Sequence, residues 1–421
     1  MSKRTAIFAL AAVAIMLPAL SSANGLNLNG LGTRAQAMGG AYVSLADDFS
    51  AVFWNPAGAA GFRRTTFGFC ALDLIPTATY KLISLIPEVP TVDAKTKTSH
   101  YLGFLAGYYK PISSKVVLGL GIGTPSGLGT MWDGADFANL TSGTTYDWSS
   151  KIGVLSFSPL VAVKLSDIIS VGATVNFNYG MFSRKMPVFA IVLEGLGQYE
   201  ENMNGWGIGA TFGVLVTPSE KLGFGLTVRT PSTVALNGTA SMPDLSYLEL
   251  PGSSELERKI TWPLWIAGGV SFRPIPRLLL SADAHWTQWS RLDRFTTDYQ
   301  DSFWVTLMED AGMDEEFLGW KDTLQLRFGA EYALNPSTVL RAGYYNDPAP
   351  GPYSPLNVFL PSHTFNVLTL GAGKSIGGLQ LDFGLEYMMG KERGPGDYFI
   401  WDYGTYGMKI VVPSVSVSYK F

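Results

Sequence analysis

Few side chains of this 421-residue chain could carry out acid–base or nucleophilic chemistry, since it holds three histidines and a single cysteine, Cys70. His285 follows Asp283 by two positions, so a strand would present both on one face, as the base and acid of a hydrolase require. No nucleophile motif accompanies this pair or the other two histidines, His100 and His363. A lipid hydrolase is therefore a weak alternative. Cys70 is expected to be a buried, inert thiol without an internal disulfide partner.

The composition is typical of a membrane β-barrel. Charged residues make up only 15% of the chain, whereas a soluble protein usually has about 25%. The chain also contains 47 glycines, 24 phenylalanines, 19 tyrosines and 11 tryptophans. No apolar run beyond the N-terminus reaches the about 20 residues of a membrane helix, so a chain in a membrane would cross it as strands. The net charge of −4 comes without a basic patch, which predicts no nucleic-acid partner. Scarce His and Cys predict no metal and no cofactor.

The N-terminus has the pattern of a secretory signal peptide. Lys3 and Arg4 precede an apolar stretch at residues 6–20, and small residues at 21–23 offer a cleavage site. An uncleaved anchor helix is the alternative, but the apolar stretch is short for a membrane span. We predict a cleaved signal peptide at residues 1–23 and a mature protein in the outer membrane of a Gram-negative bacterium.

Alternating apolar and polar residues predict strands with two different faces. In LQLDFGLEY, which begins at Leu379, the large apolar side chains share one face and the acidic Asp382 and Glu386 share the other. A segment that begins at Thr323 repeats this pattern, and so does the last segment of the chain, which ends at Phe421. A lipid-facing exterior and a polar lumen produce such alternation. A soluble sandwich would also alternate, but it rarely needs so many aromatic residues at strand ends. The C-terminal aromatic strand resembles the signal read by the barrel assembly machinery, an expected partner.

Short turns and longer loops alternate along the chain. Short turns are predicted at residues 111–115, 166–167, 218–221, 274–277, 335–337 and 377–378. Longer loops are predicted at residues 73–99, 132–149, 185–204, 239–259, 292–320, 346–362 and 392–406. This order predicts an all-β, transmembrane antiparallel barrel of about 14 strands over residues 65–421, with both termini on the short-turn side. Short turns of bacterial barrels face the periplasm, so the N-terminal segment starts at the periplasmic mouth.

The segment at residues 26–62 is suited to packing inside the barrel. It is rich in Gly, Ala and small polar residues, with too few large apolar side chains for a core of its own and too little charge for a solvated tail. We predict that residues 24–64 form a hatch, or plug, in the lumen. Asn55, Pro56 and Ala57 are predicted to dock it against the wall, because Asn bonds backbone groups and Pro keeps the preceding residue extended. A simple turn before the first strand is the alternative.

A glycine-rich run in the third predicted strand is the candidate lateral exit. It contains Gly119, Gly121, Gly123, Pro125 and Gly127. Proline cannot donate to a strand ladder and glycine weakens it, so the strand should bulge or kink here. A bend without an opening is the alternative. Phosphate binding by the glycines is disfavoured, because no helix follows the run.

Taken in order, these features resemble the FadL/TodX family of outer-membrane transporters for long-chain fatty acids and other hydrophobic compounds. The resemblance covers essentially the whole mature chain, and its sharpest element is the small-residue plug with Asn55-Pro56-Ala57. The supporting motifs are GLGIGTPSGLGT (119–130), WIAGGVSFRP (265–274), TQWSRLD (287–293), WKDTLQLRFGAEY (320–332) and LRAGYYNDPAP (340–350). The family implies a monomeric barrel, an N-terminal hatch, and passive uptake in which the substrate leaves sideways through a kinked third strand.

Two outer loops carry apolar side chains that could capture such a substrate from water. They are Val188, Phe189, Ile191, Val192, Leu193 and Leu196 in the first loop and Leu245, Tyr247, Leu248 and Leu250 in the second. The first set is similar in position to the family's low-affinity site. An extension of the strands above the membrane is an equally good interpretation of that segment.

Charged residues predicted to face the lumen are expected to pair mostly with one another, since bare charges in a narrow lumen are costly. They are Arg229, Asp283, His285, Arg327, Glu331, Arg341, Asp382 and Glu386. By resemblance to the family, Arg184 and Lys321 are the candidates for holding a fatty-acid headgroup.

The sequence thus predicts passive uptake of a hydrophobic ligand, a long-chain fatty acid or another hydrophobic compound, with outer-membrane lipids and lipopolysaccharide as surroundings. Neutral aromatic or aliphatic hydrocarbons are the alternative substrates, for which a basic headgroup site would have no role. A general porin is less favoured, because it would need an open, charged constriction without a plug.

Overall fold

The computed structural model of the chain describes residues 25–82, 91–351, 359, 362–394 and 404–421. The predicted signal peptide therefore lies outside the described residues, as do parts of three predicted long loops.

Most of the described chain is strand. The strands are β1 (Thr66–Leu82), β2 (Val92–Lys95), β3 (Tyr101–Pro111), β4 (Val116–Met131), β5 (Ser149–Lys164), β6 (Ile169–Ala190), β7 (Gly195–Ser219), β8 (Leu222–Arg229), β9 (Ser232–Ser241), β10 (Ser253–Trp262), β11 (Trp265–Ile275), β12 (Leu278–Thr287), β13 (Arg294–Tyr299), β14 (Glu315–Phe317), β15 (Thr323–Asn335), β16 (Thr338–Asp347), β17 (Phe365–Ile376), β18 (Leu379–Gly390) and β19 (Gly404–Lys420).

These strands form a closed antiparallel barrel whose wall has 14 strands. Each wall strand pairs with the next one along the chain, and β19 returns to β1 in a register that runs from Thr66–Lys420 to Leu82–Gly404. The short strands β2, β13 and β14 belong to loops: β2 pairs with the end of β1, β13 pairs with the end of β10, and β14 pairs with β13. The predicted fold class and strand number are confirmed.

Two wall strands are each divided into two collinear pieces. β8 is separated from β9 at residues 230–231, and β10 from β11 at residues 263–264. Each break contains a proline, Pro231 or Pro263, which cannot donate to the ladder. On one side of the breaks β8 pairs with β11, and on the other β9 pairs with β10.

The two faces of the strands follow the predicted alternation. Phe383 and Leu385 are exposed on the outer face of β18, while Asp382 and Glu386 are buried on the lumenal face. The C-terminal Phe421 is exposed as well. A lipid-facing surface explains these exposed side chains, since a water-exposed apolar band would be costly.

The helices are short. The α-helices are α1 (Thr33–Ala37), α2 (Ala51–Trp54) and α3 (Ser302–Asp310), and the 3₁₀ helices are Pro56–Gly61, Gly134–Thr141, Ile191–Leu193, Pro243–Leu248 and Trp289–Arg291. Within the described ranges, none of the helices has the length and hydropathy needed to span a membrane.

Residues 25–62 lie inside the barrel and are called the hatch below. Leu31, Tyr42, Phe49 and Trp54 are almost completely buried, and they belong to one apolar cluster with wall side chains such as Tyr109. The large apolar side chains of the hatch thus pack with those of the lumenal wall.

The β6–β7 hairpin continues well beyond the membrane. Its strands have 22 and 25 residues, whereas a tilted membrane strand needs about 9–11. The prediction of a loop at residues 185–204 is wrong for most of that segment, since β6 ends at Ala190 and β7 begins at Gly195. The structure shows an extension of the strands over most of this segment, and a capture role for its exposed apolar side chains stays a prediction. From Gly197 to Asn204 buried and more exposed side chains alternate, as expected for a strand.

Candidate functional site

The side chain of Asn55 forms hydrogen bonds within the hatch and a further one to the wall. Its Nδ2 donates to the carbonyl of Val43 in the hatch at 2.9 Å and to that of Val214 in β7 at 3.0 Å. Its Oδ1 accepts the N–H of Ala57 at 3.1 Å, which caps the 3₁₀ helix that Pro56 begins. Proline fits this first helical position because its missing N–H would have no partner there. The motif therefore contacts the wall directly, as its predicted docking role requires.

A buried carboxylate on the wall holds another part of the hatch. Asp283 Oδ2 accepts the backbone N–H groups of Tyr42 at 2.8 Å and Val43 at 2.9 Å. His285 Nε2 lies 3.3 Å from the same oxygen, and its ring packs against Trp265. The pair that could have served a hydrolase is thus engaged with the hatch.

Three of the six other predicted lumenal charges, Glu331, Arg341 and Asp382, form ion pairs. Arg34 of the hatch contacts Glu331 at 2.8 Å and Asp47 at 2.5 Å. Arg341 contacts the same Glu331 at 2.7 Å and Asp382 at 2.7 Å. This network joins the hatch to β15, β16 and β18, and its buried charges satisfy one another.

Two further lumenal charges bond to neutral groups. Arg327 Nη1 donates to the hatch carbonyls of Asn29 at 2.9 Å and Gly39 at 3.2 Å. Glu386 accepts the hydroxyl of Tyr345 at 2.7 Å. The Arg327 bonds join the hatch to the wall without an ion pair, whereas the Glu386 bond joins β16 to β18 within the wall.

Glycines on the wall allow the hatch backbone to approach closely. A Cβ on Gly172 would overlap the backbone of Pro56, and a Cβ on Gly213 would overlap the side-chain oxygen of Asn55. A Cβ on Gly343 would likewise overlap the backbone of the hatch. Only glycine leaves room for such contacts, so these positions fix how deeply the hatch sits.

Strand β4 separates from β3 partway along its length. Their pairing ends at Leu105 and Gly123, and the pairing of β4 with β5 shifts register between Gly123 and Ser126. Pro125 lies inside this irregularity and has no N–H to donate. The predicted bulge in the glycine-rich run is therefore present.

Side chains close the gap that this separation leaves. Thr124 Oγ1 accepts the N–H of Phe104 at 3.0 Å and lies 3.4 Å from the carbonyl oxygen of Phe104, to which it donates. Farther along, a Cβ on Gly129 would overlap the ring of Tyr101. Between Gly123 and Gly129 the gap is thus bridged by a hydroxyl and a ring instead of a ladder between β3 and β4.

The first residues of the hatch cross the lumen beside the bulge. Asn27 forms an isolated antiparallel bridge with Ser126, and the N–H of Leu28 donates to the carbonyl of Pro125 at 3.1 Å. Ser126 Oγ donates to the carbonyl of Leu26. Asn27 lines cavities on both sides of this crossing.

The first of these, called the inner cavity, lies between the hatch, β4 and the β5–β11 part of the wall. It contains about 800 Å³ of space free of protein atoms, part of which is open to solvent. Its lining includes Leu31, Val52, Phe53, Leu105, Arg229 and Trp265. It also reaches Gly121, Gly123 and Pro125 of the predicted exit, so the cavity adjoins the gap.

The other, called the second cavity, lies against β1 and β17–β19 and contains about 770 Å³ of such space. Its apolar lining includes Leu72, Phe365 and Met388, and it contains the carboxylates of Asp347 and Glu386. Of the remaining predicted exit residues, Gly127 borders this second cavity. Gly119 lies beside the ring of Tyr109.

The two predicted headgroup residues lie in different surroundings. Arg184 is buried, with its Nε 2.9 Å from Glu201 and its Nη1 2.6 Å from Glu316. Lys321 is exposed on the loop before β15. Neither residue lines the inner or the second cavity. The positive charge of Arg184 is balanced in this structure, and a headgroup role for either residue stays a prediction.

The predicted capture residues divide between a packed core and an exposed surface. Those that pack in or against the apolar cluster of the outer half are Val188, Leu193, Leu245 and Leu250. Those that are exposed are Phe189, Ile191, Val192, Tyr247 and Leu248. Leu196 is half-buried beside Phe189 in the hairpin register. The exposed set presents apolar side chains at the outer end of the molecule.

Sequence reasoning did not single out Thr124 or Tyr101, the two residues that bridge the gap. Thr124 stands inside the glycine-rich run, where a hydroxyl next to a proline is a signal for side-chain bonding to backbone. Tyr101 carried no comparable signal, because its contact with Gly129 depends on the separation of the strands.

A closed 14-strand barrel with a plug, an internal cavity and an interrupted third wall strand defines a plugged transport barrel of the outer-membrane type. The chain belongs to the outer membrane protein transport protein family (OMPP1/FadL/TodX), whose model matches residues 11–396. Members of this family are outer-membrane β-barrels of Gram-negative bacteria, and they are transporters of hydrophobic compounds.

Solved structures show the same fold. A Pseudomonas aeruginosa FadL homologue is similar with a TM-score of 0.75 and 17% identity, over 94% of this chain and 100% of that chain. The toluene transporter TodX of P. putida gives a TM-score of 0.73 and 15% identity, over 94% and 99%. The toluene transporter TbuX of Ralstonia pickettii gives 0.67 and 18%, also over 94% and 99%. No curated protein matches the chain.

Proposed function

We propose that this protein takes up long-chain fatty acids or similar hydrophobic compounds and releases them sideways into the outer membrane through the gap between β3 and β4. The observation that carries the proposal is the end of backbone pairing at Leu105 and Gly123, because both residues line the inner cavity. The place where the ladder between β3 and β4 ends thus adjoins the cavity, which supports an exit there.

The physical reason for a lateral route is the poor solubility of such compounds in water. An exit through the periplasmic mouth would return the substrate to water, whereas a gap in the wall leads directly to hydrocarbon. Unpaired backbone groups are costly in a membrane. The Thr124 hydroxyl reduces that cost by bonding the N–H of Phe104 while the ladder is interrupted.

The remaining parts of the route fit the same proposal. The exposed apolar residues of the outer half, such as Phe189 and Tyr247, would collect the substrate from outside. The hatch, held by Asn55 and Asp283, keeps the lumen from being an open water channel. The protein is exported by its N-terminal signal peptide and acts as a monomer in this proposal.

A reversible crosslink across the gap tests the lateral route. A Cβ on Gly103 would lie 3.3 Å from Thr124 Oγ1, so the double variant Gly103→Cys/Thr124→Cys brings two thiols within reach of a disulfide. The native Cys70 is replaced by Ala in this background to exclude other crosslinks. A matched control is Leu370→Cys/Leu385→Cys, a directly paired site on the lipid face of β17 and β18.

Uptake of labelled oleate by cells is measured at equal surface levels, before and after reduction. The oxidised gap variant should take up little oleate, and a reductant should restore its uptake. Uptake by the control variant should change neither on oxidation nor on reduction. Full uptake by a barrel whose gap is shown by mass spectrometry to be crosslinked would rule out the lateral route.

A further inference from the structure

One sector of the short-turn end of the barrel carries a cluster of basic side chains. The sector consists of residues 63–65 before β1, residues 110–116 between β3 and β4, and residues 164–169 between β5 and β6, which are neighbours around the wall. Its basic residues, called the basic turn cluster below, are Arg63, Arg64, Lys110, Lys115 and Lys164. Asp167 is the one acidic residue that the structure describes within these three segments, so the sector is strongly positive.

Hydrogen bonds hold the three segments next to one another. Arg63 Nη1 donates to the carbonyl of Ser114 at 3.1 Å, and the N–H of Lys164 donates to the carbonyl of Lys115 at 2.7 Å. Lys164 Nζ also lies 2.7 Å from Asp167 Oδ1. This bond to Lys164, together with the charges of Arg63 and Lys115, lowers the pKa of Asp167. A carboxylate in this sector is thus stabilised by several cations at once, and another anion would be stabilised in the same way.

Three cations of the cluster are left without a carboxylate partner. Arg64, Lys110 and Lys115 are exposed, and none of them forms an ion pair with any residue that the structure describes. Exposed cations elsewhere can be balanced, as Lys81 is by Asp93 at 3.2 Å. The three positive charges are therefore available to an anion from outside the chain.

Lys110 lies on the lipid face of the wall, next to a row of aromatic side chains. It is the register partner of Leu118, which is exposed on that face. Two residues deeper in the membrane, Tyr108, Phe67 and Tyr419 are neighbours in register and are exposed on the same face. Aromatic side chains mark the membrane interface of such barrels, and two residues of a strand span about 7 Å. The ammonium group of Lys110 therefore lies at the depth of lipid headgroups.

The turns of this sector also expose large apolar side chains. Ile112 in one turn and Leu165 and Ile168 in the other are 56%, 58% and 45% exposed. By contrast, the described turn between β7 and β8 has Glu220 next to Lys221 and exposes no large apolar side chain. Cations beside exposed apolar side chains suit a surface that contacts headgroups and acyl chains together. This combination favours a lipid over a soluble acidic protein as the partner.

Each of the two turns adds a hydroxyl donor. Ser113 Oγ accepts the N–H groups of Lys115 at 3.2 Å and Val116 at 3.1 Å. In the other turn, Ser166 Oγ accepts the N–H of Ile169 at 3.1 Å. Because these bonds use the oxygen as an acceptor, the hydroxyl proton of each serine is available to a further acceptor. Phosphate oxygens accept such bonds and are attracted by the cations beside them.

We infer that the basic turn cluster binds the phosphate headgroup of an anionic phospholipid in the inner leaflet of the outer membrane. Short turns of bacterial barrels face the periplasm, so the cluster lies at that leaflet. The inference goes beyond the proposed function, because this lipid stays outside the barrel whatever compound passes through the lumen. Lys110 and Lys115 lie where β3 is joined to β4, so the lipid binds at the paired end of the two strands that separate after Leu105 and Gly123.

The test compares two phospholipids with the same acyl chains. The purified full chain in a non-ionic detergent is incubated with dioleoyl phosphatidylglycerol, which is anionic, or with dioleoyl phosphatidylethanolamine, which has no net charge, and native mass spectrometry measures the bound lipid. The native protein should bind phosphatidylglycerol more tightly. In Arg64→Gln/Lys110→Gln/Lys115→Gln, the affinity for phosphatidylglycerol should fall by about 10- to 100-fold, and the affinity for phosphatidylethanolamine should change much less.

A matched control removes the same number of charges from other turns at the same end of the barrel. It is Lys221→Gln/Arg277→Gln/Lys374→Gln, in which all three replaced residues are exposed, and it should keep the preference for phosphatidylglycerol. Heat modifiability in electrophoresis shows which variants are folded. If the cluster variant is not folded, the single variants Lys110→Gln and Lys115→Gln decide the matter, since each should weaken phosphatidylglycerol binding by about fivefold.

The outcomes distinguish this site from a general effect of charge and from a soluble ligand. Loss of the preference in the cluster variant alone supports the site. Equal loss in both triple variants, or equal binding of the two lipids by the native protein, overturns it. Glycerol phosphate supplies the phosphate without acyl chains, and binding as tight as that of phosphatidylglycerol would identify a soluble anion as the ligand and overturn the lipid assignment. Uptake of hydrophobic compounds is measured separately, so none of these results decides the proposed function.

Discussion

Asn55 of the hatch and Gly213 of β7 fit against each other so closely that the asparagine side-chain oxygen occupies the place of a Cβ on the glycine. The amide nitrogen of the same side chain reaches the carbonyl of Val214, the next residue of β7. Asn55 can therefore bond to β7 only because residue 213 is a glycine and has no side chain in its way. The position of the hatch is specified from both sides of this contact.

Asn55→Ala should leave the barrel assembled but reduce uptake. The substitution removes three hydrogen bonds of the hatch, each worth about 0.5–1.5 kcal/mol, and touches no bond of the wall ladder. The measurement is uptake of labelled oleate by cells at equal surface levels. Uptake equal to that of the native protein would contradict a docking role for the motif.

Gly213→Ala should displace the hatch from the other side of the same contact. The added methyl overlaps Asn55, and the lone Cys70 can report the result, since its thiol is buried within hydrogen-bonding reach of the Gly32 backbone. We expect Cys70 to resist a maleimide in the native protein and to react in the variant.

Gly268→Ala is the matched control for this experiment, because the nearest atom to a Cβ there is a backbone oxygen at 4.0 Å. Its labelling should equal that of the native protein. Protection of Cys70 in a folded Gly213→Ala barrel would show that the hatch keeps its place despite the added methyl.

The wall of the barrel could be predicted from the sequence because its signals are local. Alternation of apolar and polar side chains, as in the strand that begins at Leu379, requires only two faces in different surroundings. Regular alternation is missing at residues 187–193, a continuous run of mostly apolar residues, so the sequence suggested a loop at residues 185–204 where the structure mostly has longer strands. The outer parts of β6 and β7 pack on other loops. They have no lipid-facing side, so no regular alternation of apolar and polar residues marks them as strands.

The site was predictable only where one segment carried the signal. The bulge at Pro125 follows from a proline and its neighbouring glycines, and a contact for Asn55 follows from its motif. Pairing of buried charges depends on distant parts of the chain, as between Arg184 and Glu316, which are 132 positions apart. For the same reason the sequence could place Arg229 on the lumenal face but could not show that it lacks a carboxylate partner.

Thr124→Val should loosen the gap between β3 and β4. Valine keeps the shape of threonine but leaves the Phe104 N–H without its partner, at a cost of about 1–3 kcal/mol. We expect faster initial uptake of oleate together with a lower melting temperature. Thr233→Val, which removes an exposed bond to Thr261 on the wall, is the control and should not change the rate. Slower uptake in a folded Thr124→Val protein would show that the hydroxyl assists passage.

Acidification should loosen the outer loops around His363. Its ring is buried in front of β17 and its Nδ1 lies 3.2 Å from the carbonyl oxygen of Lys391. Burial, together with the charge of Arg393, lowers the pKa of His363 to about 4, whereas an exposed histidine has a pKa of about 6.5. As the pH falls, His363 in the opened loop therefore binds a proton at a higher pH than His363 in the closed loop does. Stability of the closed loop is complete above about pH 6.5 and is lost as the pH falls towards 4, by at most about 3 kcal/mol.

Hydrogen exchange of the peptide that covers residues 362–365 measures this opening. After correction for the intrinsic effect of pH on exchange, protection should decrease between pH 6.5 and 4 in the native protein. In His363→Gln it should be independent of pH, because glutamine does not titrate. Equal protection of the native peptide at both ends of this range would mean that the ring accepts its proton without leaving the closed loop.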